Sequence, residues 1–267
     1  MLYTVKTISS PHNDEIKQLT RLVQNSRERR KQGVMVLEGI HLTAAALDAG
    51  QPPQRLYLNE TASVHPEVQA LLTRMPAAVT VIMLPESIMA KVSALASPPE
   101  LLALCQRPCP PQPAPDAARV VLEDIQDPGN LGTILRCAAA SGVREVLLSK
   151  GCVDVYSPKV LRAGMGAHFV LHIHEQVDLA VSLTQFSGRK LVTYLEGSCS
   201  LYSQDLTGPV ALVFGNEGAG VSPALLALAD ARVRIPMPGH AESLNVAMAA
   251  TVCLFERVRQ QEAATPC

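Results

Sequence analysis

Residues 119–142, RVVLEDIQDPGNLGTILRCAAASG, decide the fold of the chain. Arg119–Leu122 predicts a buried strand, and residues 131–141 predict a helix that ends before Gly142. Glycine is favoured just beyond a helix because it adopts left-handed backbone freely. The Asp-Pro-Gly-Asn sequence at 127–130 is a turn signal between the two elements. This order is typical of a parallel α/β sheet, in which ligands bind beyond the carboxyl ends of the strands.

The same alternation extends in both directions along the chain. Toward the C terminus, strands are predicted at 145–148, 191–194, 210–214 and 232–235, followed by a helix at 243–260. Toward the N terminus, predicted strands at 34–37, 55–58, 79–84 and 101–105 alternate with helices at 13–31, 39–49, 67–72 and 86–95. Five of the nine residues 107–115 are proline, which excludes an interior helix or central strand there. We therefore expect α/β domains at 1–106 and 116–267, joined by a Pro-rich linker at 107–115.

Composition excludes several classes of protein. Hydrophobic residues make up 48% of the 267 residues and charged residues 18%, so the chain has enough apolar material for a core. The net charge of −1 means that any nucleic-acid binding must come from local patches, and 3% aromatics argue against base stacking. The seven cysteines contain no CxxC pair, so we expect reduced cysteines and no metal. Without a signal peptide or an 18-residue apolar run, we expect a soluble, cytoplasmic protein that binds no membrane.

Three loops follow predicted strands and precede helices, and they hold the candidate functional residues. In the first loop, Asn130 is at the position expected for the helix N-cap, and Arg136 lies within two turns of the helix start. A turn with a capping residue and a surface arginine is the simpler interpretation of this loop taken alone. The second loop, 215–222, contains three glycines that allow close approach of the backbone to a ligand. Glu217 in that loop would repel phosphate, so a neutral or positive ligand fits it better.

The third loop, 235–245, is stiffened by two prolines and leads into the last predicted helix. Ser243 is the expected cap of that helix, which places Asn245 in the first turn among apolar neighbours. A buried Asn needs hydrogen-bond partners for its amide, so a ligand or backbone contact is expected there. A capping residue and a satisfied core Asn would explain the same pattern without a function.

Together the three loops closely resemble the three motifs of the SpoU (TrmH-type) branch of the SPOUT RNA methyltransferases. The resemblance covers essentially all of 117–260. It is carried by Asp127-Pro128-Gly129-Asn130-Leu131-Gly132-Thr133 with Arg136, by Phe214-Gly215-Asn216-Glu217-Gly218 with Gly220, and by Ile235-Pro236-Met237 with Ser243-Leu244-Asn245-Val246-Ala247. Residues 1–105 look like the substrate-binding domain that often precedes this one, through Ser9-Ser10-Pro11-His12-Asn13 and Leu37-Glu38-Gly39. Ala219 and Ala247 depart from the family, where a basic residue and a Ser are often found.

The resemblance implies a C-terminal SPOUT-type parallel sheet with a trefoil knot, preceded by a smaller α/β substrate-binding domain. It implies an enzyme that transfers a methyl group from S-adenosyl-L-methionine to a ribose 2′-hydroxyl in RNA, and a homodimer formed through the catalytic domain. Ribosomal RNA of the 23S type is favoured because the N-terminal domain is similar to that of family members acting on ribosomal RNA. The alternatives are a tRNA 2′-O-methyltransferase, a non-catalytic RNA-binding or ribosome-assembly protein, and an enzyme acting on a base or a small molecule.

The resemblance also assigns roles to individual residues. Arg136 is the expected catalytic residue, and a further set orders the site: Asn130, Glu217, Ser243 and Asn245. The expected cofactor contacts are Gly215, Asn216, Gly218, Ile235, Met237 and Leu244. An arginine base is chemically unusual because the pKa of arginine exceeds about 12. We therefore expect Arg136 to position the target nucleotide while a phosphate or water takes the proton.

A basic cluster in the N-terminal part is the candidate RNA-binding surface. It consists of Arg27, Arg29, Arg30 and Lys31, opposed only by Glu28. A solvated helix end explains the run equally well, since cations suit a helix C terminus. Beside a methyltransferase domain, RNA contact becomes the favoured interpretation. Arg162 and His168 are further candidate RNA contacts.

Overall fold

The computed structural model describes residues 4–95, 97–240 and 242–264. The chain forms two compact units. The first contains the residues up to Pro108 together with Tyr156–Phe169, and the second contains Cys109–Val155 and the residues from Val170 onward. The sequence pattern places 156–169 in the C-terminal part, whereas in the structure this segment packs with the N-terminal residues.

Strands and helices alternate through the N-terminal part, as the sequence predicts. Its elements are β1 (Thr4–Thr7), α1 (Asp14–Gln24), α2 (Ser26–Gln32), β2 (Val34–Glu38), α3 (Ile40–Asp48), β3 (Arg55–Asn59), α4 (Pro66–Thr73), β4 (Thr80–Leu84), α5 (Glu86–Val92) and β5 (Leu101–Gln106). The strands form a sheet of order β1-β4-β3-β5-β2, in which β5 runs antiparallel to β2 and β3. One face of α1 contributes Ile16, Leu19 and Val23 to the core beneath this sheet.

The helix predicted over 13–31 is two helices. Asn25 has extended backbone, and its side-chain oxygen accepts hydrogen bonds from the N–H groups of Arg27 and Glu28. An asparagine in this position caps a new helix, because its carbonyl satisfies N–H groups that lack a partner in the first turn. The chain therefore leaves helical geometry at Asn25, between α1 and α2.

The C-terminal part carries a second, larger sheet. Its elements are β6 (Arg119–Leu122), α6 (Pro128–Ala140), β7 (Glu145–Leu148), α7 (Pro158–Gly164), β8 (His172–His174), α8 (Leu179–Gln185), β9 (Arg189–Thr193), β10 (Cys199–Ser200), β11 (Val210–Phe214), α9 (Pro223–Leu226), β12 (Ala231–Arg234) and α10 (Val246–Ala264). Within the described residues the strand order is β10-β12-β9-β11-β6-β7-β8, and each neighbouring pair is parallel. The parallel α/β class predicted for this part is confirmed.

The order of these strands brings the candidate loops to one edge of the sheet. Strand β11 lies between β6 and β9, and β12 lies on the other side of β9. The pairing aligns Phe214 with Leu122, and Val233 with Thr193. Since parallel strands share their carboxyl edge, the loops that follow β6, β11 and β12 start at the same edge. Across 4–95, 97–240 and 242–264, the structure contains no helix with the length and apolar character needed to cross a bilayer.

Candidate active site

The first loop caps α6 differently from the prediction. Asp127 is the N-cap, and its Oδ1 accepts a hydrogen bond of 2.8 Å from the backbone N–H of Asn130. Proline is favoured at the first helical position, so Pro128 begins the helix and shifts the cap three residues before Asn130. The prediction that Asn130 is the N-cap is therefore wrong. The Asn130 side chain instead forms hydrogen bonds with the second and third loops.

The second loop folds back on itself between Asn216 and Gly220. The two residues exchange backbone hydrogen bonds of 3.0 and 2.9 Å, and the Asn216 Oδ1 accepts from the N–H groups of Gly218 and Ala219. A Cβ on Gly215 would overlap the backbone of Gly220, so only glycine allows this close approach. Asn216 Nδ2 donates to the Asp124 carbonyl at 2.8 Å and thereby ties the second loop to the first.

Glu217 joins the same two loops through its carboxylate. Its Oε1 accepts from Asn130 Nδ2 at 3.0 Å and from the backbone N–H of Asp127 at 3.3 Å, and its Oε2 accepts from the backbone N–H of Gln126 at 3.3 Å. Burial alone raises the pKa of Glu217, but the Asn130 amide and the backbone N–H groups outweigh that effect and lower the pKa. The carboxylate is therefore ionised at neutral pH.

The third loop enters this network through Asn245. Its Nδ2 donates to Asn130 Oδ1 at 2.9 Å, and its Oδ1 accepts from the N–H groups of Ala247 and Met248. Asn245 is thus the cap of α10, so the prediction that Ser243 caps this helix is wrong. Asn245 is also exposed rather than buried. The amide of Asn245 has hydrogen-bond partners, as expected from the sequence. They are the backbone N–H groups of α10 and the side chain of Asn130.

The side chains of Glu217, Asn130 and Asn245 therefore form one continuous chain of hydrogen bonds across the three loops. Each member comes from a different loop, and the Asn130 amide contributes both its donor and its acceptor. Removing the Asn130 side chain would take one donor from Glu217 Oε1 and the acceptor from Asn245 Nδ2. A network of this kind fixes the relative positions of the loops.

A cavity of about 510 Å³ opens beside this network. Ligand pockets typically measure about 300–1,000 Å³. The predicted cofactor residues all line it: Gly215, Asn216, Gly218, Ile235, Met237 and Leu244. Glu217, Ser243 and Asn245 also contribute to the wall, and the charged groups in the lining are Glu217 and Arg234.

The sequence pattern missed part of the cavity wall. Thr193 ends β9, residues 194 and 195 follow it, Leu201 lies further along the chain, and Cys253 comes from α10. Position alone could have identified 193–195, because β9 is next to β11 and its carboxyl end lies at the same edge. These residues have no polar pattern that distinguishes a ligand wall from ordinary packing.

Arg136 lies outside the cavity wall on the exposed side of α6. The structure shows no hydrogen bond or ion pair between its guanidinium and another residue in the described ranges. The next residue, Cys137, contacts Thr251 of α10, with 3.1 Å between Sγ and Oγ1. Arg136 is thus a solvent-facing cation beside the packed pair of helices α6 and α10.

The four basic residues of the cluster on α2 differ in their exposure to solvent. Arg27, Arg30 and Lys31 are exposed, whereas Arg29 is 3% exposed. Arg29 Nη1 donates to the carbonyls of Leu22 and Val23 at 2.6 and 2.8 Å, so it binds the end of α1. The prediction that Arg29 contacts RNA is wrong for this reason.

The two additional candidates, Arg162 and His168, lie in the segment that packs with the first unit. His168 is 1% exposed and lies against the ring of Tyr156, with 5.8 Å between ring centroids, so it is excluded as an RNA contact. Arg162 Nη1 is 3.6 Å from Glu38 Oε2, although the arginine side chain remains 42% exposed. No cluster of three metal-binding side chains occurs in the part of the chain that the structure describes.

Comparisons with known proteins match this architecture over nearly its whole length. A model described as the SpoU rRNA Methylase family matches residues 117–255, and an MRM3-like substrate binding domain matches residues 13–103. An uncharacterized tRNA/rRNA methyltransferase of Synechocystis is 37% identical over 98% of this chain and 96% of its own length. The Bacillus subtilis 23S rRNA (guanosine(2553)-2′-O)-methyltransferase RlmP is 31% identical over 94% of this chain and 98% of its own. The AdoMet complex of the SpoU methyltransferase AviRb from Streptomyces viridochromogenes superposes with a TM-score of 0.84 at 29% identity, covering 94% and 99% of the two chains.

Proposed function

The chain belongs to the SpoU rRNA methylase family, and from this we propose that it transfers a methyl group from S-adenosyl-L-methionine to a ribose 2′-hydroxyl of ribosomal RNA. The single observation that carries the proposal is the Glu217–Asn130–Asn245 network beside a ligand-sized cavity. The same relatives that match the whole chain include a named 23S rRNA 2′-O-methyltransferase.

The cavity fits S-adenosyl-L-methionine. The cofactor supplies a methyl group on a positively charged sulfonium, and the charge disappears on transfer. An ionised Glu217 in the wall suits a positive ligand, and the adenine is proposed to lie against the main chain of Gly215 in the same wall. We assign the cofactor contacts to Gly215, Asn216, Gly218, Ile235, Met237 and Leu244.

Catalysis on ribose requires an aligned hydroxyl and a route for its proton. Arg136 can fork onto a phosphate of the target nucleotide and hold the 2′-oxygen in line with the methyl group. On methyl transfer the hydroxyl proton would pass to a phosphate oxygen or water, since arginine is a poor proton acceptor. Asn130, Glu217 and Asn245 keep the three loops in register during this step, and Ser243 adds to the cavity wall.

RNA binding is assigned to the first unit. Exposed Arg27, Arg30 and Lys31 on α2 can neutralise phosphates, which is the main source of RNA affinity for a chain with little net charge. Accordingly, we propose that residues 1–106 bind the substrate and that residues 116–267 transfer the methyl group. Residues 107–115 are proposed to link these two domains. Ribosomal RNA is preferred to tRNA because a full-length relative is named for 23S rRNA.

A homodimer is part of the proposal. Leu244, Met248 and Phe255 are 40%, 49% and 45% exposed and lie along one side of α10 and the loop before it. An apolar stripe of this kind is costly to leave in water and fits a second copy of the same helix. The trefoil knot and the cytoplasmic location also belong to the proposal, and they rest on the family and on the substrate respectively.

The function is tested by incubating the purified chain with methyl-labelled S-adenosyl-L-methionine and either ribosomal RNA or tRNA, followed by digestion to nucleosides and mass spectrometry. The expected product is a 2′-O-methylated nucleoside from ribosomal RNA. Label in tRNA would support the alternative substrate, label on a base would refute ribose chemistry, and binding of RNA without transfer would favour the non-catalytic alternative. Gly215→Val should abolish cofactor binding in calorimetry, whereas Gly208→Val, where the space around the glycine is open, should not.

A further inference from the structure

Asp124, in the loop after β6, has an unusual backbone. Its φ of +54° places it in the left-handed region, which only three non-glycine residues adopt within the described part of the chain. Side chains with a Cβ are disfavoured there, although aspartate tolerates the region better than most residues. Asp124 is exposed and lines no part of the cavity. Something other than burial must therefore hold this conformation.

The loop after β7 stabilises the left-handed backbone conformation of Asp124. Ser149 Oγ donates to the Asp124 carboxylate and accepts from the Asp124 backbone N–H at 2.9 Å, so the two residues are joined by reciprocal hydrogen bonds. The carboxylate occupies the space above Gly151, where a Cβ would overlap it. Any larger residue at 151 would displace the carboxylate from Ser149.

The backbone of Asp124 in turn positions the cofactor loop. Its carbonyl accepts from Asn216 Nδ2 at 2.8 Å, and Asn216 Oδ1 fixes the N–H groups of Gly218 and Ala219. Two residues further along, the N–H of Gln126 donates to Glu217 while its side-chain amide donates to the Gly151 carbonyl at 2.5 Å. These contacts connect the loop after β7 to the cavity wall through 124–126.

We propose that Asp124, Ser149 and Gly151 form a latch that sets the conformation of the loop 215–220 and hence the affinity for S-adenosyl-L-methionine. Asp124 is a positioning residue, since it acts through Asn216 and Glu217 and not by touching the cofactor. The inference rests on the proposed function. It extends the cofactor site to a loop that none of the three sequence motifs includes.

The test compares Gly151→Ala, Ser149→Ala and Asp124→Asn in the full chain. Gly151→Ala and Ser149→Ala should weaken S-adenosyl-L-methionine binding about tenfold, the effect of reducing the binding-competent fraction of loop 215–220 to about one tenth. The single-turnover rate at saturating cofactor, the affinity for RNA and the unfolding midpoint should stay at wild-type values. Asp124→Asn keeps an acceptor for Ser149 and tolerates left-handed backbone, so its cofactor affinity should be close to wild type. Gly208→Ala and Ser187→Ala, which lie outside the cavity wall, are the matched controls.

Three results would overturn the latch. They are unchanged cofactor affinity in both variants, loss of RNA affinity in place of cofactor affinity, and a fall in the unfolding midpoint that parallels the loss of binding. If the wild-type chain binds no S-adenosyl-L-methionine, the proposed function fails together with the latch. If the wild type binds it and the variants bind it equally well, the latch alone fails.

Discussion

Arg136 is the residue on which the proposed chemistry most directly depends. Its guanidinium faces solvent, and the cofactor residues belong to other loops. Arg136→Ala and Arg136→Lys should each lower the single-turnover rate by about 10²–10³, the usual effect of removing a positioning or electrostatic group. Cofactor affinity should not change. The exposed Arg144, which precedes β7 at the opposite edge of the sheet, provides the control Arg144→Ala.

The measurement is methyl transfer from labelled cofactor under single-turnover conditions, beside a calorimetric titration of the cofactor. A wild-type rate in Arg136→Ala would assign the catalytic role to Asn130, Glu217 or Asn245. Weakened cofactor binding in the same variant would show that Arg136 belongs to the cofactor site.

Glu217 gives a prediction for pH dependence. Its pKa in the folded chain is below the ordinary value of 4.5, so the ionised carboxylate stabilises the fold above pH 4.5 and this contribution is lost as the pH falls through the folded value. The difference in thermal midpoint between the wild type and Glu217→Gln should be constant from pH 7 to about 5 and shrink below that. Thermal unfolding of both proteins across this range measures it. A difference that grows on acidification would contradict the hydrogen-bond network.

At the residue scale, the sequence predicted which loops matter better than it predicted how each residue works. Asp127 and Asn130 are both good N-cap residues three positions apart, and the proline between them settles the choice. Ser243 and Asn245 pose the same ambiguity at α10, where the structure selects Asn245. The Asn130–Asn245 hydrogen bond joins residues 115 positions apart, so no local pattern contains it.

At the scale of elements, α2 carries both a structural arginine, Arg29, and the proposed RNA contacts. Arg29→Ala removes a guanidinium that satisfies two carbonyls at the end of α1, and it should lower the free energy of unfolding by about 2–3 kcal/mol. Arg27→Ala removes an exposed side chain and should change stability by less than about 0.5 kcal/mol. Urea unfolding measures both values.

The same pair of variants should behave in the opposite way toward RNA. Arg27→Ala should weaken RNA binding and reduce its dependence on salt, because one phosphate contact is lost. Arg29→Ala, measured under conditions where it is folded, should bind RNA as the wild type does. Equal RNA affinity in both would place the RNA surface elsewhere.

The elements that the sequence failed to predict include β1, β8 and α7, each for its own physical reason. The burial pattern of β1 is exposed throughout, so it has no apolar alternation, and β8 is three residues long and contains two histidines. Helix α7 packs with the first unit, where Arg162 faces Glu38, a carboxylate 124 positions earlier in the chain (162 − 38). By contrast, β6, β7 and β11 are buried along their whole length and were predicted from their apolar runs.

At the scale of the whole molecule, the exposed stripe on α10 predicts the oligomeric state. Light scattering at micromolar concentration should report twice the 28.5 kDa of one chain. Met248→Glu combined with Phe255→Glu should yield the single-chain mass, because the charges are incompatible with burial in an interface. Val181→Glu, at an equally exposed position on α8, should leave the dimer intact. A 28.5 kDa particle from the wild-type chain would refute the homodimer.

The order of the strands in the larger sheet could not be predicted from the sequence pattern either. The pattern predicts parallel strands and the edge where ligands bind, whereas the β9-β11-β6 neighbourhood depends on crossovers between distant segments. That neighbourhood brings the ends of β9, β11 and β12 to one cavity, and it places the loop after β6 where Asn130 joins Glu217 and Asn245 of the cavity wall. The family resemblance, more than the periodicity, carried the expectation that these loops meet.

The central claim, methylation of a ribose in ribosomal RNA, is tested most directly by mapping 2′-O-methyl groups in the ribosomal RNA of cells that have and lack this chain. The predicted result is a 2′-O-methyl nucleotide that disappears without the chain, returns with the wild type, and does not return with Arg136→Ala. Identical ribosomal RNA maps in the presence and absence of the chain would contradict the account.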